Sequence, residues 1–140
     1  MPYPELMIRP MREELTLLGF EELKDGDAVN EWAGQKSGTG LLVINSVCGC
    51  AAGMARPGVR LALEQSGTRP DHIATVFAGQ DQEATARARS LFPQVPPSSP
   101  SMALIKNGEL VYFLPRHRIE GRTAEEVAGD LGSAFAEHCS

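Results

Sequence analysis

Two apolar runs with a helical segment between them constrain the fold of this chain more than any other feature. The runs "LLVIN", residues 41–45, and "IATVFAG", residues 73–79, are typical of strands that are covered on both faces. Residues 50–66 are rich in Ala, Leu, Met and Glu and predict a helix that Pro57 interrupts. A strand, a helix and a strand at this spacing predict a parallel βαβ unit.

The chain after this unit carries two further local signals. The runs "MALIK" and "ELVYFL" are joined by Asn107-Gly108, whose tolerance of positive φ predicts a tight antiparallel hairpin. Thr123 and Glu126 have the spacing of a capping box, which predicts the start of a closing helix. The apolar positions of that helix are Val127, Leu131 and Phe135.

Three more helices are predicted elsewhere. Residues 5–18 predict an N-terminal helix that Pro10 must start or kink, with a packing face formed by Met7, Met11, Leu15 and Leu18. "GFEELKDGDAVNEWAG" predicts a short second helix with Val29 and Trp32 on one side. Asp81 is placed to cap a helix over "QEATARARSLF", which Pro93 stops.

The order of these elements predicts an α/β fold with a central mixed β-sheet, helices on both of its faces and an extra N-terminal helix. At 140 residues the chain has the size of one domain, which we expect to span residues 1–140. In open sheets of this kind, chemistry takes place beyond the carboxyl ends of the parallel strands, where a helix begins.

Charge and composition limit which partners the protein is expected to bind and in which compartment it is expected to work. The net charge is −5 and the Lys and Arg residues are scattered, so we expect no nucleic-acid partner. No apolar stretch approaches the roughly 18 residues that cross a bilayer, and no leader precedes the first helix, so we expect no membrane association. The three cysteines, an odd number, favour a reducing cytoplasm over a disulfide framework.

Cys48 and Cys50 stand at the predicted junction between strand and helix, separated only by Gly49. A thiol in the first turn of a helix faces free backbone N–H groups and the positive end of the helix dipole, both of which favour the thiolate. The pKa of such a thiol is expected below the free value, which makes it a nucleophile near neutral pH. Cys48 lies nearer the loop and is the predicted attacking thiol, with Cys50 as its more shielded partner.

The short spacing of the two thiols leaves three interpretations open. A disulfide between them is possible because Gly49 widens the backbone choices, but it is strained and easily reduced, which suits thiol exchange or isomerisation. A metal-binding or chaperone-like module is the second interpretation, with the C-x-C thiolates as ligands. The other candidate ligands are His72, His117, His138 and Cys139. A chance pair of buried cysteines without activity is the third.

Pro100 precedes the strand that is predicted to flank the active helix. An X-Pro bond can take the cis form at a cost of only about 0.5–1 kcal/mol. In that form the backbone of Ser99 would face an incoming peptide or thiol adduct, whereas a trans loop proline would have no such role.

The motifs on these segments resemble those of a known family. The strand and hairpin after Pro100 resemble the corresponding part of thioredoxins, and CGC stands where thioredoxins carry C-x-x-C. The resemblance to the bacilliredoxin family is closer still and covers most of the chain. It rests on "PMREELTLLGFEEL", "VINSVCGCAAGMARP", "VFAGQDQEATARAR", "PPSSPSMAL" and "PRHRIEGR".

The resemblance implies a thioredoxin-like fold and a bacterial cytoplasmic thiol-disulfide oxidoreductase without a tightly bound cofactor. Its substrate would be bacillithiol, a small glucosamine-linked cysteine thiol, which it removes from mixed disulfides on bacillithiolated client proteins. Protein disulfide isomerase activity is also associated with the family. Cys48 would match the nucleophile that receives the adduct, Cys50 the cysteine that resolves it, and Pro100 the cis-proline opposite them. A flavin-dependent reductase or a free thiol would recycle the protein.

Several side chains have weaker assignments. Arg56, Arg116 and His117 are candidates to pair with the carboxylates of a small thiol, although each residue type is commonly a solvated surface residue. Cys139 is a candidate second resolving thiol, or a frayed terminal cysteine without a role.

Overall fold

The computed structural model describes residues 3–34 and 37–139, and five strands among them form one mixed sheet in the order β1-β3-β2-β4-β5. The strands are β1 (Glu21–Glu22), β2 (Thr39–Asn45), β3 (His72–Phe77), β4 (Ser101–Lys106) and β5 (Glu109–Leu114). The helices are α1 (Glu5–Thr16), α2 (Gly26–Ala33), α3 (Arg56–Gln65), α4 (Gln82–Arg89) and α5 (Ala124–His138). β3 runs parallel to β1 and β2, whereas β4 is antiparallel to β2 and β5. The predicted α/β class, mixed sheet and N-terminal helix are confirmed.

Strand β2 is buried along its whole length because helices cover both faces of the sheet. Leu41 and Val43 pack into one core with apolar residues of α1, α3 and α5. Leu42 and Ile44, which point the other way, pack into a second core with apolar residues of α2 and α4. The continuous apolar run of this strand therefore has the two-sided burial that the sequence predicts.

The buried face of α1 agrees only in part with the predicted one, at Leu15 and Leu18. Ile8, Arg12 and Leu15 are the buried residues of this helix, and Met7 is 47% exposed. The prediction of Met7 as a packing residue is therefore wrong. The predicted face does not include Arg12, which tertiary contacts make part of the buried face.

Arg12 is buried because it binds three carboxylates from different parts of the chain. Its Nη1 donates to Asp81 Oδ2 at 2.7 Å and to Glu22 Oε2 at 3.0 Å, and its Nε donates to Glu5 Oε2 at 2.9 Å. Its guanidinium also lies over the Phe77 ring, 5.3 Å from the ring centroid. The cluster joins α1, β1 and the loop before α4.

Asp81 stands at the N-cap position of α4 as predicted, but its side chain makes no capping hydrogen bond. Its carboxylate is engaged by Arg12 instead. The second helix, α2, is capped by Asp25, which accepts from Ala28 N at 2.8 Å. The two-residue strand β1 before it was not predicted, since two residues carry no periodicity.

A π-helical turn over Ala51–Ala55 precedes α3. Pro57 follows this turn, and because proline has no N–H it cannot donate to the carbonyl of Gly53. The irregular turn therefore stands where the sequence predicts an interruption, and π-turns of this kind are frequent at functional sites.

The hairpin and the closing helix form as predicted. Asn107 and Gly108 both have positive φ, at 52° and 86°, and join β4 to β5. Thr123 and Glu126 form both hydrogen bonds of the capping box at the start of α5. Within the described ranges, no helix is both long and apolar enough to cross a membrane.

Candidate active site

Three chain segments meet at one edge of the sheet. Asn45, the last residue of β2, lies beside Phe77, the last residue of β3, and its carbonyl accepts from Ala78 N at 2.9 Å. Ile44 lies beside Ser101, the first residue of β4. The carboxyl ends of two parallel strands therefore meet the loop that enters β4, so the CGC segment and Pro100 share this edge.

Cys48 and Cys50 are in direct contact at this edge. Their Sγ atoms lie 2.7 Å apart, and both residues are free cysteines. Cys48 is partly exposed, whereas Cys50 is buried at 6% exposure. The backbone carbonyl of Cys48 accepts from Ala51 N and Ala52 N, so Cys48 begins the helical segment and Cys50 lies within its first turn.

The surroundings shift the pKa values of the two thiols in opposite directions. The hydrogen bond from Cys50 lowers the pKa of Cys48, and so do the backbone N–H groups of Cys50 and Ala51 and the positive charge of Arg116. Burial raises the pKa of Cys50, and the neighbouring Cys48 raises it further. Cys48 is therefore the more acidic of the two thiols, and Cys50 keeps its proton to higher pH.

Arg56 holds the loop that carries Cys48. Its Nη1 donates to Asn45 Oδ1 at 2.8 Å and to the Ser46 carbonyl at 2.9 Å. Its Nε lies 3.2 Å from Glu14 Oε2 as an ion pair without hydrogen-bond geometry. Because Arg56 is only 3% exposed and already engaged, the prediction that it binds the carboxylates of a small thiol is wrong.

The loop before β4 supplies the other wall of the site. The Ser99–Pro100 peptide bond is cis, and Pro100 is buried. Ser99 lines the same surface cleft as Cys48. The Ser98 carbonyl accepts from Ser101 Oγ at 2.8 Å, which ties the loop to the first residue of β4.

Two arginines line this cleft, and only one of them was predicted. Arg116 lies in a short 3₁₀ turn, and its Nη1 lies 3.4 Å from the Ser99 carbonyl. Arg89, at the end of α4, was missed because nothing in the sequence distinguishes it from Arg87 two residues earlier. His117 is exposed and does not line the cleft.

Cys139 lies at the opposite end of the sheet from Cys48. Its surroundings include Thr39, Asp71 and Lys106, which mark the start of β2 and the end of β4, and burial raises the pKa of its thiol. Since β2 has seven residues, the two ends are about 20 Å apart at roughly 3.3 Å per residue. Cys139 therefore does not share the site of Cys48.

Three of the four other residues proposed as metal ligands lie far from the two thiols of the CGC segment. His72 begins β3, His138 ends α5, and Cys139 follows α5. The fourth, His117, is exposed and lies in the 3₁₀ turn beside Arg116. In the part of the chain that the structure describes, no group of three or more His, Cys, Asp or Glu side chains is arranged to hold a metal ion.

Comparisons with known proteins find relatives over nearly the whole chain. The family model described as disulphide isomerase matches residues 3–139. The chain is 53% identical to a bacilliredoxin of Bacillus cereus over 137 residues, which covers 98% of this chain and 95% of the relative. It is 54% identical to a bacilliredoxin of Shouchella clausii over 142 residues, covering 99% and 97%.

Solved structures of thioredoxins share the fold at low sequence identity. Fasciola hepatica thioredoxin superposes with a TM-score of 0.58 at 19% identity, covering 85% of this chain and 99% of the thioredoxin. The reduced thioredoxin pre-protein of Schistosoma mansoni gives a TM-score of 0.52 at 21% identity, covering 83% and 97%. These likenesses establish the thioredoxin-like fold.

The protein is thus a thiol-disulfide oxidoreductase with a thioredoxin-like fold. More narrowly, the chain belongs to the bacilliredoxin family.

Proposed function

We propose that the protein removes bacillithiol from mixed disulfides on client proteins, with Cys48 as the nucleophile. The observation that carries the proposal is the difference between two thiols in contact. Cys48 is partly exposed and has a lowered pKa, whereas Cys50 is buried and has a raised pKa. The name bacilliredoxin, carried by relatives of about 50% identity, supports bacillithiol as the small thiol.

The first step transfers the small thiol to the protein. The Cys48 thiolate attacks the bacillithiol sulfur of the mixed disulfide, a Cys48–bacillithiol disulfide forms, and the original S–S bond breaks. The client cysteine leaves as a thiolate that takes a proton from solvent. No net oxidation occurs, because one disulfide replaces another.

The second step uses Cys50. Once Cys48 carries the adduct it has no negative charge, so one cause of the raised pKa of Cys50 is removed and its thiolate forms more readily. That thiolate attacks the Cys48 sulfur and expels bacillithiol, leaving a Cys48–Cys50 disulfide. A free thiol or a flavin-dependent reductase then supplies two electrons to restore both thiols. We place this cycle in the cytoplasm, because reduced thiols persist in a reducing compartment.

Pro100 and its loop complete the proposed site. Ser99, which precedes Pro100, lines the cleft beside Cys48. The backbone of this residue is therefore available to the sulfur-bearing segment of a substrate, and we propose Pro100 as the third site residue for that reason.

The test is release of bacillithiol from a bacillithiolated client. We expect wild type to release it, Cys48→Ala to be inactive, and Cys50→Ala to stop with a stable adduct on Cys48 that intact-protein mass spectrometry detects. Cys139 lies too far away to resolve that adduct within the same molecule. Equal release by wild type and Cys48→Ala would contradict the proposal.

Isomerisation of protein disulfides is a second candidate, favoured by the description of the matching family model. The same Cys48 thiolate would attack a non-native protein disulfide and form a mixed disulfide with the client. The released client thiolate would attack a second client disulfide, and the thiolate freed there would attack the mixed disulfide, which forms a new client disulfide and releases Cys48. Refolding of a scrambled disulfide protein tests this candidate. A rate no faster than that of an equal concentration of a free dithiol would contradict it.

A further inference from the structure

A surface cleft of about 340 Å³ opens beside the Cys48 sulfur. Its lining residues come from six segments: Tyr3, the CGC loop, the loop after β3, the end of α4, the loop before β4, and the 3₁₀ turn after β5. This volume suits the non-reacting part of a small thiol bound to Cys48 and is far smaller than a folded client domain.

The charge of the cleft is opposite to that of the whole protein. Arg89 and Arg116 line it, and none of the described lining residues is an Asp or a Glu. The chain as a whole has a net charge of −5. A cationic cleft on an acidic protein attracts an anionic ligand and disfavours a cationic one.

Arg89 lacks the partners that a buried guanidinium usually has. Its Nε is buried and has no hydrogen-bond partner among residues 3–34 and 37–139, and no carboxylate of those ranges pairs with it. Its Nη2 donates a long hydrogen bond of 3.4 Å to the Ser98 carbonyl. Burial lowers the pKa of Arg89. A charge that is partly buried without a carboxylate is costly, and a carboxylate supplied by a ligand offsets that cost.

Arg116 also contacts the loop before β4. Its Nη1 is 3.4 Å from the Ser99 carbonyl, and its Nη2 donates to Glu120 Oε2 at 3.0 Å. Because Glu120 neutralises part of its charge, Arg116 is the weaker of the two anion-binding groups. It also lowers the pKa of Cys48, so its removal affects every substrate.

We propose that Arg89, assisted by Arg116, forms a carboxylate-binding subsite that selects small thiols bearing negative charge for transfer to Cys48. This inference rests on the proposed function, since it concerns the thiol that becomes attached to Cys48. Arg89 acts as a specificity residue: it binds the part of the thiol that does not react, and the disulfide exchange itself is unchanged.

The test compares three mixed disulfides of one neutral cysteine peptide. The peptide is joined to mercaptosuccinate with two carboxylates, to mercaptoethanol without charge, or to cysteamine with a positive charge. Peptide thiol release is measured under single-turnover conditions for wild type and Arg89→Gln. We expect the variant to lose about ten-fold in rate on the mercaptosuccinate disulfide, the effect of one partly exposed charge-assisted hydrogen bond, and less than about two-fold on the neutral one.

Matched variants separate this role from a general effect of charge or folding. Arg87→Gln removes the same charge from the same helix, but Arg87 is exposed and lines a different depression beside Gly26 and Asp27, so it should keep the wild-type preference. Arg89→Lys keeps the charge and should restore part of the rate on mercaptosuccinate. Arg116→Gln should slow all three disulfides and reduce the preference for mercaptosuccinate by a smaller factor.

The outcomes distinguish the two proposals. If Arg89→Gln slows all three disulfides by the same factor, or slows none, the subsite is overturned and the proposed function stands. If Arg89→Gln instead loses rate only when the peptide itself carries glutamates, the cleft recognises clients and the inference is wrong. If Cys48→Ala releases the peptide as fast as wild type, the proposed function itself fails.

Discussion

The Sγ atoms of Cys48 and Cys50 form a hydrogen bond of 2.7 Å, and this contact is the largest cause of the lowered pKa of Cys48. The thiolate of Cys48 therefore depends on a neighbour only two residues away, in addition to the backbone N–H groups of the first helical turn. In the proposed function, the short spacing of the CGC motif gives each thiol a distinct role, in which Cys50 stabilises the thiolate of the nucleophile Cys48.

The pH dependence of Cys48 alkylation follows from this contact. In a Cys139→Ser background, we expect the rate of modification by iodoacetamide to rise with pH around a midpoint below that of an ordinary cysteine, because the thiolate forms at lower pH. Cys50→Ala should move the midpoint upward, because it removes the donor. Cys50→Ser, which keeps a hydroxyl donor, should lie between wild type and Cys50→Ala. A midpoint that does not change in Cys50→Ala would contradict this assignment.

Cys139 should have no part in the reaction. It lies near Thr39 at the start of β2, about 20 Å from the end of the strand that carries Cys48. Two cysteines form a disulfide only when their Cα atoms lie within about 7 Å of each other. We therefore expect Cys139→Ser to keep the wild-type rate of bacillithiol release, and the Cys50→Ala adduct to be equally stable with and without Cys139. Faster loss of that adduct when Cys139 is present, at low protein concentration, would show that the distance argument fails.

Arg12 should be important for stability. Arg12 is 5% exposed and its guanidinium binds Glu5, Glu22 and Asp81, so its removal leaves three carboxylates facing one another. We expect Arg12→Gln to lower the free energy of unfolding by about 3–5 kcal/mol, the usual cost of breaking a buried ion pair. Urea denaturation followed by circular dichroism measures this value. Arg9→Gln is the control, since Arg9 is an exposed residue of the same helix and should change stability by less than about 0.5 kcal/mol.

The sequence alone predicts the elements that depend on local patterns, but not the contacts between distant residues. The βαβ unit, the hairpin at Asn107-Gly108 and the capping box at Thr123 arise from local patterns, and the structure contains all of them. The pairing of Arg12 with Asp81 joins residues 69 positions apart, and no local pattern encodes it. Periodicity therefore predicts the burial of Leu15 but not that of Arg12.

The candidate site likewise contains residues that the sequence predicts and residues whose roles it does not predict. Cys48 and Cys50 could be found because the chemistry of a thiol at a strand-to-helix junction is local, and Pro100 because it precedes a recognisable strand. The roles of Arg56 and Arg89 are set by tertiary packing. Arg56 is buried against Asn45 and Ser46, whereas Arg89 reaches the cleft beside Cys48 from another helix.

The packing of α3 against α5 gives a last prediction, at Gly58. A Cβ atom there would lie 2.6 Å from Val127 Cγ1 and 3.2 Å from the Ala124 carbonyl oxygen, so the two helices touch at this glycine. We expect Gly58→Ala to lower the free energy of unfolding by about 1–3 kcal/mol through overpacking, although alanine has the higher helix propensity.

Gly129→Ala in α5 is the matched control for Gly58→Ala. Gly129 is exposed, and a Cβ atom added there meets nothing within 4 Å, so only helix propensity should act. We expect this substitution to raise the free energy of unfolding by about 0.5–1 kcal/mol. Urea denaturation of both variants measures the two changes in the free energy of unfolding, which should have opposite signs. If both substitutions stabilise the protein, the helices can separate at Gly58 without loss, and the close contact with Val127 does not limit their packing.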